Sequence, residues 1–234
     1  MPGTVDIYPW DQAYVIANGL DYRPRPLFQS YSVYTPTLIK KNCDFLYSDR
    51  APETILFSIK EIDNRLPAMM EGASWLDIMK LYDVVGVRDE FLRLQKMTHS
   101  KDYSFNNLES VKTIFNQSVK VPSNNIFVRI NVKKNLMGNL VNLLYKMPIT
   151  EIELEYENGS KEVKRLIPGI ASSGFIISPS IKNINDFAAY ASGADLQKVV
   201  AFSIIGNSFL YDNMIGIELF SIERKGFNAT GLIK

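Results

Sequence analysis

Thr150-Glu151-Ile152-Glu153-Leu154-Glu155-Tyr156-Glu157-Asn158-Gly159-Ser160-Lys161-Glu162-Val163-Lys164-Arg165-Leu166 reads as a β-hairpin. Ile152, Leu154 and Tyr156 alternate with Glu151, Glu153, Glu155 and Glu157, the two-residue period of a strand with one buried and one wet face. Asn158-Gly159 supplies the tight turn, and 161–166 is the return strand. The four glutamates then lie opposite Lys161, Lys164 and Arg165 on the solvated face.

The same period extends outward from this hairpin. Ile126, Val128, Ile130 and Val132 mark a strand over 125–132, and further strands are expected over 174–177, 199–205 and 215–222. One helix, 184–191, interrupts them. Short strands at this spacing predict a jelly-roll-like β-sandwich over 125–234.

Upstream the pattern changes. Strands are expected over 5–8, 27–31, 53–59, 82–87 and 91–94, with helices over 11–19, 36–47 (Thr35 capping, Pro36 in the first turn) and 75–81 (Ser74 capping). Helix starts of this kind combine a hydroxyl acceptor with residues suited to the first turn. Alternation of strand and helix predicts a small α/β domain over 1–100. The chain turns polar from Lys96 to Leu108, and 101–124 is expected to be the linker. The fold class is thus a two-part α+β chain, an α/β layer joined to an all-β sandwich.

Bulk properties narrow the function classes. The 234 residues carry a net charge of +1, with 46% hydrophobic and 22% charged residues. Such a chain has no global field directed at nucleic acid, and it is too apolar for disorder. The lone cysteine, Cys43, excludes an intrachain disulfide and a Cys-rich zinc site; it reads as a small buried hydrophobe or, alternatively, a reactive thiol. The lone histidine, His99, falls in the polar junction, away from any partner that would orient it for nucleophilic catalysis. No glycine-rich phosphate loop occurs, and no cofactor is expected. Carboxylates are numerous enough for a glycosidase pair. Asp63-Asn64 and Asp212-Asn213 read as turns or as calcium donors. The longest uncharged run, 166–181, contains Pro168, Gly169, Gly174 and Pro179 and does not read as a membrane span. The start, Met1-Pro2-Gly3 running straight into a strand, reads as a piece excised from a longer protein.

One segment stands apart, Tyr22-Arg23-Pro24-Arg25-Pro26-Leu27-Phe28-Gln29-Ser30-Tyr31-Ser32-Val33-Tyr34-Thr35-Pro36. Forked guanidinium donors beside flat aromatic faces suit a sugar or a polyprenyl-phosphate headgroup. The structural alternative is that the tyrosines fill the seam between the halves while the arginines pair with Asp21 or Asp63. Asp63 and Arg65 follow the third expected strand, at the carboxyl-end edge where α/β layers bind ligands. The candidate ligand-binding residues are therefore Tyr22, Arg23, Arg25, Gln29, Tyr31, Tyr34, Asp63 and Arg65, with Arg23, Arg25, Asp63 and Arg65 expected to cluster if the two segments meet.

Asp6-Ile7-Tyr8-Pro9, Asn18-Gly19-Leu20, the stretch 24–35, Ala51-Pro52-Glu53, Ile62-Asp63-Asn64-Arg65-Leu66-Pro67, Arg165-Leu166-Ile167-Pro168-Gly169-Ile170 and Ser173-Gly174-Phe175-Ile176-Ile177-Ser178-Pro179 together resemble a set of large bacterial polytopic membrane proteins with a soluble region outside the membrane. The resemblance implies an extracytoplasmic (periplasmic or outer-face) location and, as partner, the membrane portion of the same full-length protein. Its general plan is also similar to that of membrane glycosyltransferases that use lipid-linked sugars, although no acidic catalytic motif of those enzymes occurs here. Three functions follow as expectations: a non-catalytic binding or accessory region recognising carbohydrate, a glycosyltransferase part or carboxylate-based hydrolase, and a structural interaction module. The expected partners are a glycan or lipid-linked sugar, and no nucleic acid.

Overall fold

The computed structural model describes residues 3–224. Met1, Pro2 and the last ten residues of the expected sandwich lie outside the described residues. In chain order the elements are β1 (Thr4–Tyr8), α1 (Gln12–Ala17), β2 (Asp21–Tyr22), α2 (Pro36–Leu46), β3 (Thr54–Phe57), α3 (Gly72–Leu81), β4 (Tyr82–Arg88), β5 (Phe91–Lys96), β6 (Tyr103–Thr113), β7 (Ser118–Lys120), β8 (Ile126–Asn131), α4 (Leu136–Leu144), β9 (Thr150–Tyr156), β10 (Lys161–Leu166), α5 (Pro168–Ala171), β11 (Phe175–Ser178), α6 (Ile184–Ser192), β12 (Val199–Ile205) and β13 (Ile215–Arg224).

The first five strands form one mixed sheet in the order β2-β1-β3-β5-β4, with β1 parallel to both β2 and β3 and the other pairs antiparallel. On one face Val5, Ile7, Leu56 and Phe91 enclose Val15 of α1, a small satellite core. The opposite face carries Tyr8, Ile55 and Phe57 into the main core with α2 and α3. Thr35 caps α2 as expected, its hydroxyl accepting from the Leu38 amide at 3.4 Å. Helix α3 begins earlier than expected. Glu71, at φ 56°, precedes it, and Ser74 lies inside its first turn rather than capping it.

The remaining strands form two four-stranded antiparallel sheets, β10-β9-β12-β7 and β11-β8-β13-β6. Ile152, Leu154, Phe202 and Ile204 of one and Ile126, Val128, Ile217 and Leu219 of the other are buried in the same core, a β-sandwich. The Asn158-Gly159 hairpin has the register its alternation predicts, with Lys161 opposite Glu155 and Arg165 opposite Glu151.

Two expectations are corrected, and one element was not foreseen. Residues 101–124 are not a linker: they contain β6 and β7, an edge strand of each sandwich sheet. Residues 27–31 are not a strand. The Leu27 amide and carbonyl are both taken up by the Asn42 side chain at 2.9 Å rather than by a strand, and Ser30–Ser32 coil into a 3-10 turn. Helix α4 was not expected; Asn135 caps it by accepting from the Gly138 amide at 2.8 Å.

The halves share their core. Phe187 of α6 packs against Phe57 of β3 at 4.3 Å with the rings tilted by 34°, and meets Trp75 of α3 edge-on at 5.5 Å. Among the described residues, no helix is long and apolar enough to cross a membrane.

Candidate functional site

The eight residues singled out from sequence do not form one site. Arg25 is 1% exposed and lies inside the α/β layer. Its guanidinium donates to the carbonyls of Ile7 (2.7 Å), Pro9 (2.8 Å) and Phe28 (3.1 Å) and to the Ser30 hydroxyl (2.9 Å). Two buried carboxylates flank it, Asp6 at 3.2 Å and Glu71 at 3.5 Å. With every donor directed at protein, Arg25 ties the 24–30 loop to β1 and presents nothing to a ligand. The expected pairing with Asp21 or Asp63 is replaced by Asp6 and Glu71.

Tyr22 packs on the opposite face of the sheet with the satellite core, where burial chiefly pushes its phenol up to about 12. Arg23 continues that edge, its amide donating to the Val5 carbonyl at 2.8 Å. Gln29 opens the 3-10 turn, its carbonyl accepting from the Ser32 amide.

Tyr31, Tyr34, Asp63 and Arg65 do meet. Arg65, 4% exposed, donates to the Tyr31 carbonyl at 3.2 Å and to the Tyr34 hydroxyl at 3.1 Å, with Asp63 at 3.5 Å. Arg165 of β10 reaches the same Asp63 carboxylate at 3.4 Å. These four residues form a seam between the halves, so the expected cluster is corrected: Asp63 and Arg65 belong to it, whereas Arg23 and Arg25 do not.

A larger concavity lies elsewhere, between α2 and α3 on one side and the outer face of the β11-β8-β13-β6 sheet on the other. Its first compartment, about 680 Å³, is lined by Ile39, Lys40, Cys43 and Ala73 on the helix side and by Lys112, Arg129 and Glu218 on the sheet side. The second, about 250 Å³, shares Ala73, Arg129 and Ser173 with the first and adds Tyr47, Tyr103 and Phe105. The two are therefore one cleft with Arg129 at the join. Clefts of this size, apolar with a few polar groups, are where small ligands bind, and junctions between structural units are favoured places for them.

Strand register sets the polar wall. Arg129 of β8 lies opposite Glu218 of β13, and the side chains approach to 3.6 Å with both about half exposed. Lys112 of β6 is opposite Gly216, so it has no cross-strand side chain on β13. At the aromatic end Phe105 stacks on Phe220 at 4.5 Å and 13° while keeping 41% of its surface exposed. Gly174 shapes the join. Its φ is +93°, and a Cβ there would overlap the Phe127 ring and lie 2.9 Å from Arg129 Cγ.

Cys43 lines the first compartment, half-buried, and burial chiefly pushes its thiol up to about 12. It is therefore a neutral thiol near pH 7 and a poor nucleophile. Asp77, in the second compartment, is raised above its ordinary range by burial, against the hydrogen bond it accepts from Tyr47 at 2.6 Å. His99 is exposed. Among the described residues, no group of three His, Cys, Asp or Glu is placed to hold a metal ion.

Sequence reading missed this cleft because Arg129 comes from β8 while Lys112 and Phe105 come from β6, inside the supposed linker. The outward position of Arg129 between buried Val128 and Ile130 was the one available signal.

No protein-family model, no curated protein and no solved structure matches the chain.

Proposed function

We propose that this chain is a non-catalytic, extracytoplasmic binding module whose ligand is a glycosyl phosphate, free or as a lipid-linked sugar headgroup, held in the cleft between the helices and the β-sandwich. The observation that carries the reading is the arrangement around Arg129. Lys112 and Arg129 line one compartment together with Lys40, which also pairs with Asp44 at 2.6 Å, and a partly exposed aromatic ring, Phe105, lines the next. A phosphate suits the forked guanidinium and the two ammonium groups. A sugar ring, apolar on one face, suits Phe105, with the Tyr47 and Tyr103 rings beside it.

Three local features favour binding over chemistry. Cys43 is held neutral, Glu218 is paired with Arg129, and Asp77 accepts a hydrogen bond from the Tyr47 hydroxyl at 2.6 Å. The extracytoplasmic placement is supported by the resemblance carried by the quoted motifs. A jelly-roll reading of the β half is supported by its strand orders: eight consecutive strands divide into two sheets, and the first, β6, pairs with the last, β13. Such double-sheet folds are common among lectins.

An array of neutral and phosphorylated glycans, with a polyprenyl-phosphate sugar as a separate arm, tests the reading. Retention of phosphorylated sugars with loss in Arg129→Ala supports it, and the lipid arm distinguishes the source. Equal retention of neutral sugars, or none of any, removes it.

A further inference from the structure

Helix α4 is built the wrong way round for a core helix. Leu136, Leu140, Leu143 and Leu144 recur at i, i+4, i+7 and i+8, the spacing of a single apolar stripe. That stripe faces outward: the four are 90%, 52%, 79% and 63% exposed. The helix instead packs through Gly138, its one buried residue, where a Cβ would collide with the Leu210 carbonyl. Phe209, beside it in the turn that α4 contacts, is 69% exposed. Single exposed leucines need no explanation, but a contiguous stripe with an adjoining phenylalanine does.

The flanks say what covers it. Lys133 and Lys134 precede the helix, Tyr145 and Lys146 follow it, and residues 132–150 contain no carboxylate. Asp212, whose amide donates to the Lys133 carbonyl, is the acidic residue of the adjoining turn. A second copy seated on this face would bring six lysines together, which opposes association. An anionic lipid surface would turn the same charges into attraction. Nine residues are too few to span a bilayer, whereas an apolar face framed by lysines and an aromatic suits a helix lying in the headgroup region.

We infer that α4 and Phe209 form a docking surface for an anionic lipid bilayer. This face is separate from the cleft, and neither proposal depends on the other.

The test is flotation of the 234-residue chain with vesicles of phosphatidylcholine alone and of phosphatidylcholine with phosphatidylglycerol. Binding to the anionic vesicles is expected, at least about tenfold weaker without phosphatidylglycerol and weakened by added salt. The double variant Leu136→Asp/Leu143→Asp should abolish flotation with an unchanged thermal midpoint, because both side chains are mostly exposed. Lys133→Glu/Lys134→Glu should remove the preference for anionic lipid. Failure to float with either vesicle, or flotation unaffected by the aspartates, overturns the inference. So does a dimer by sedimentation equilibrium that the same aspartates dissociate, which would assign the face to a second copy.

Discussion

The guanidinium carbon of Arg25 lies 3.6 Å from the centroid of the Tyr8 ring, with both side chains buried. A single cation is thus sandwiched between an aromatic face and two carboxylates, Asp6 and Glu71, inside the α/β layer. Removing it would leave the Asp6 and Glu71 carboxyls without their buried cation and take one donor each from the Ile7, Pro9 and Phe28 carbonyls. Arg25→Met should therefore cost about 3–5 kcal/mol or prevent folding, read from urea denaturation midpoints. A loss under about 1 kcal/mol would mean that water reaches this cluster.

The same cluster gives a pH dependence with a definite sign. Burial raises both carboxyls above their ordinary range, more than Arg25 lowers them. A carboxyl that ionises less readily folded than unfolded keeps a proton in the native chain, so its contribution is complete at low pH. That contribution is lost as pH climbs from the unfolded value, about 4, through the raised folded value. Glu162 has the opposite sign: burial is outweighed by Lys182 and Tyr156, its pKa is lowered, and its contribution is lost as pH falls. The difference between wild type and Glu71→Gln isolates the cluster. The variant should gain on wild type as pH rises from about 4 to 7; a constant difference across that range would contradict the assignment.

Gly138→Ala should destabilise the chain by about 1–3 kcal/mol, because its Cβ would meet the backbone of Leu210 rather than a yielding side chain. Calorimetry gives the loss, and hydrogen exchange should place it at α4 and 208–210.

Arg65 bridges Tyr31 and Tyr34 to Asp63 at the seam. Arg65→Met should cost about 1–3 kcal/mol by stranding the Tyr31 carbonyl, while leaving glycan binding unchanged. Loss of binding at unchanged stability would return the ligand to the Tyr/Arg/Pro segment.

Much of the fold was legible where local chemistry decides it. Asn158-Gly159 between alternating runs, Thr35-Pro36 at a helix start and the apolar run Ile55-Leu56-Phe57 of β3 each specify their element without help from elsewhere. Strand β6 was not legible. It is an edge strand exposed along most of its length, so its pattern lacks a buried face, and its register with β13 shifts between Leu219 and Phe220. Arg25 was legible as unusual but not as buried, since its carboxylates stand 19 and 46 residues away. Helix α4 had a readable cap and stripe, yet an outward stripe signals no core. The cleft depends on three separated strands and two helices, and only their packing brings Arg129, Lys112 and Phe105 together.

Amide chemical-shift mapping with a hexose 1-phosphate reads out whether the cleft holds a glycosyl phosphate on Arg129. Shifts confined to α2, α3, β6, β8 and β13 are expected, abolished by Arg129→Ala and absent with the unphosphorylated hexose. Shifts centred on Tyr31, Tyr34 and Arg65 instead, or no shifts at saturating ligand, would contradict that placement.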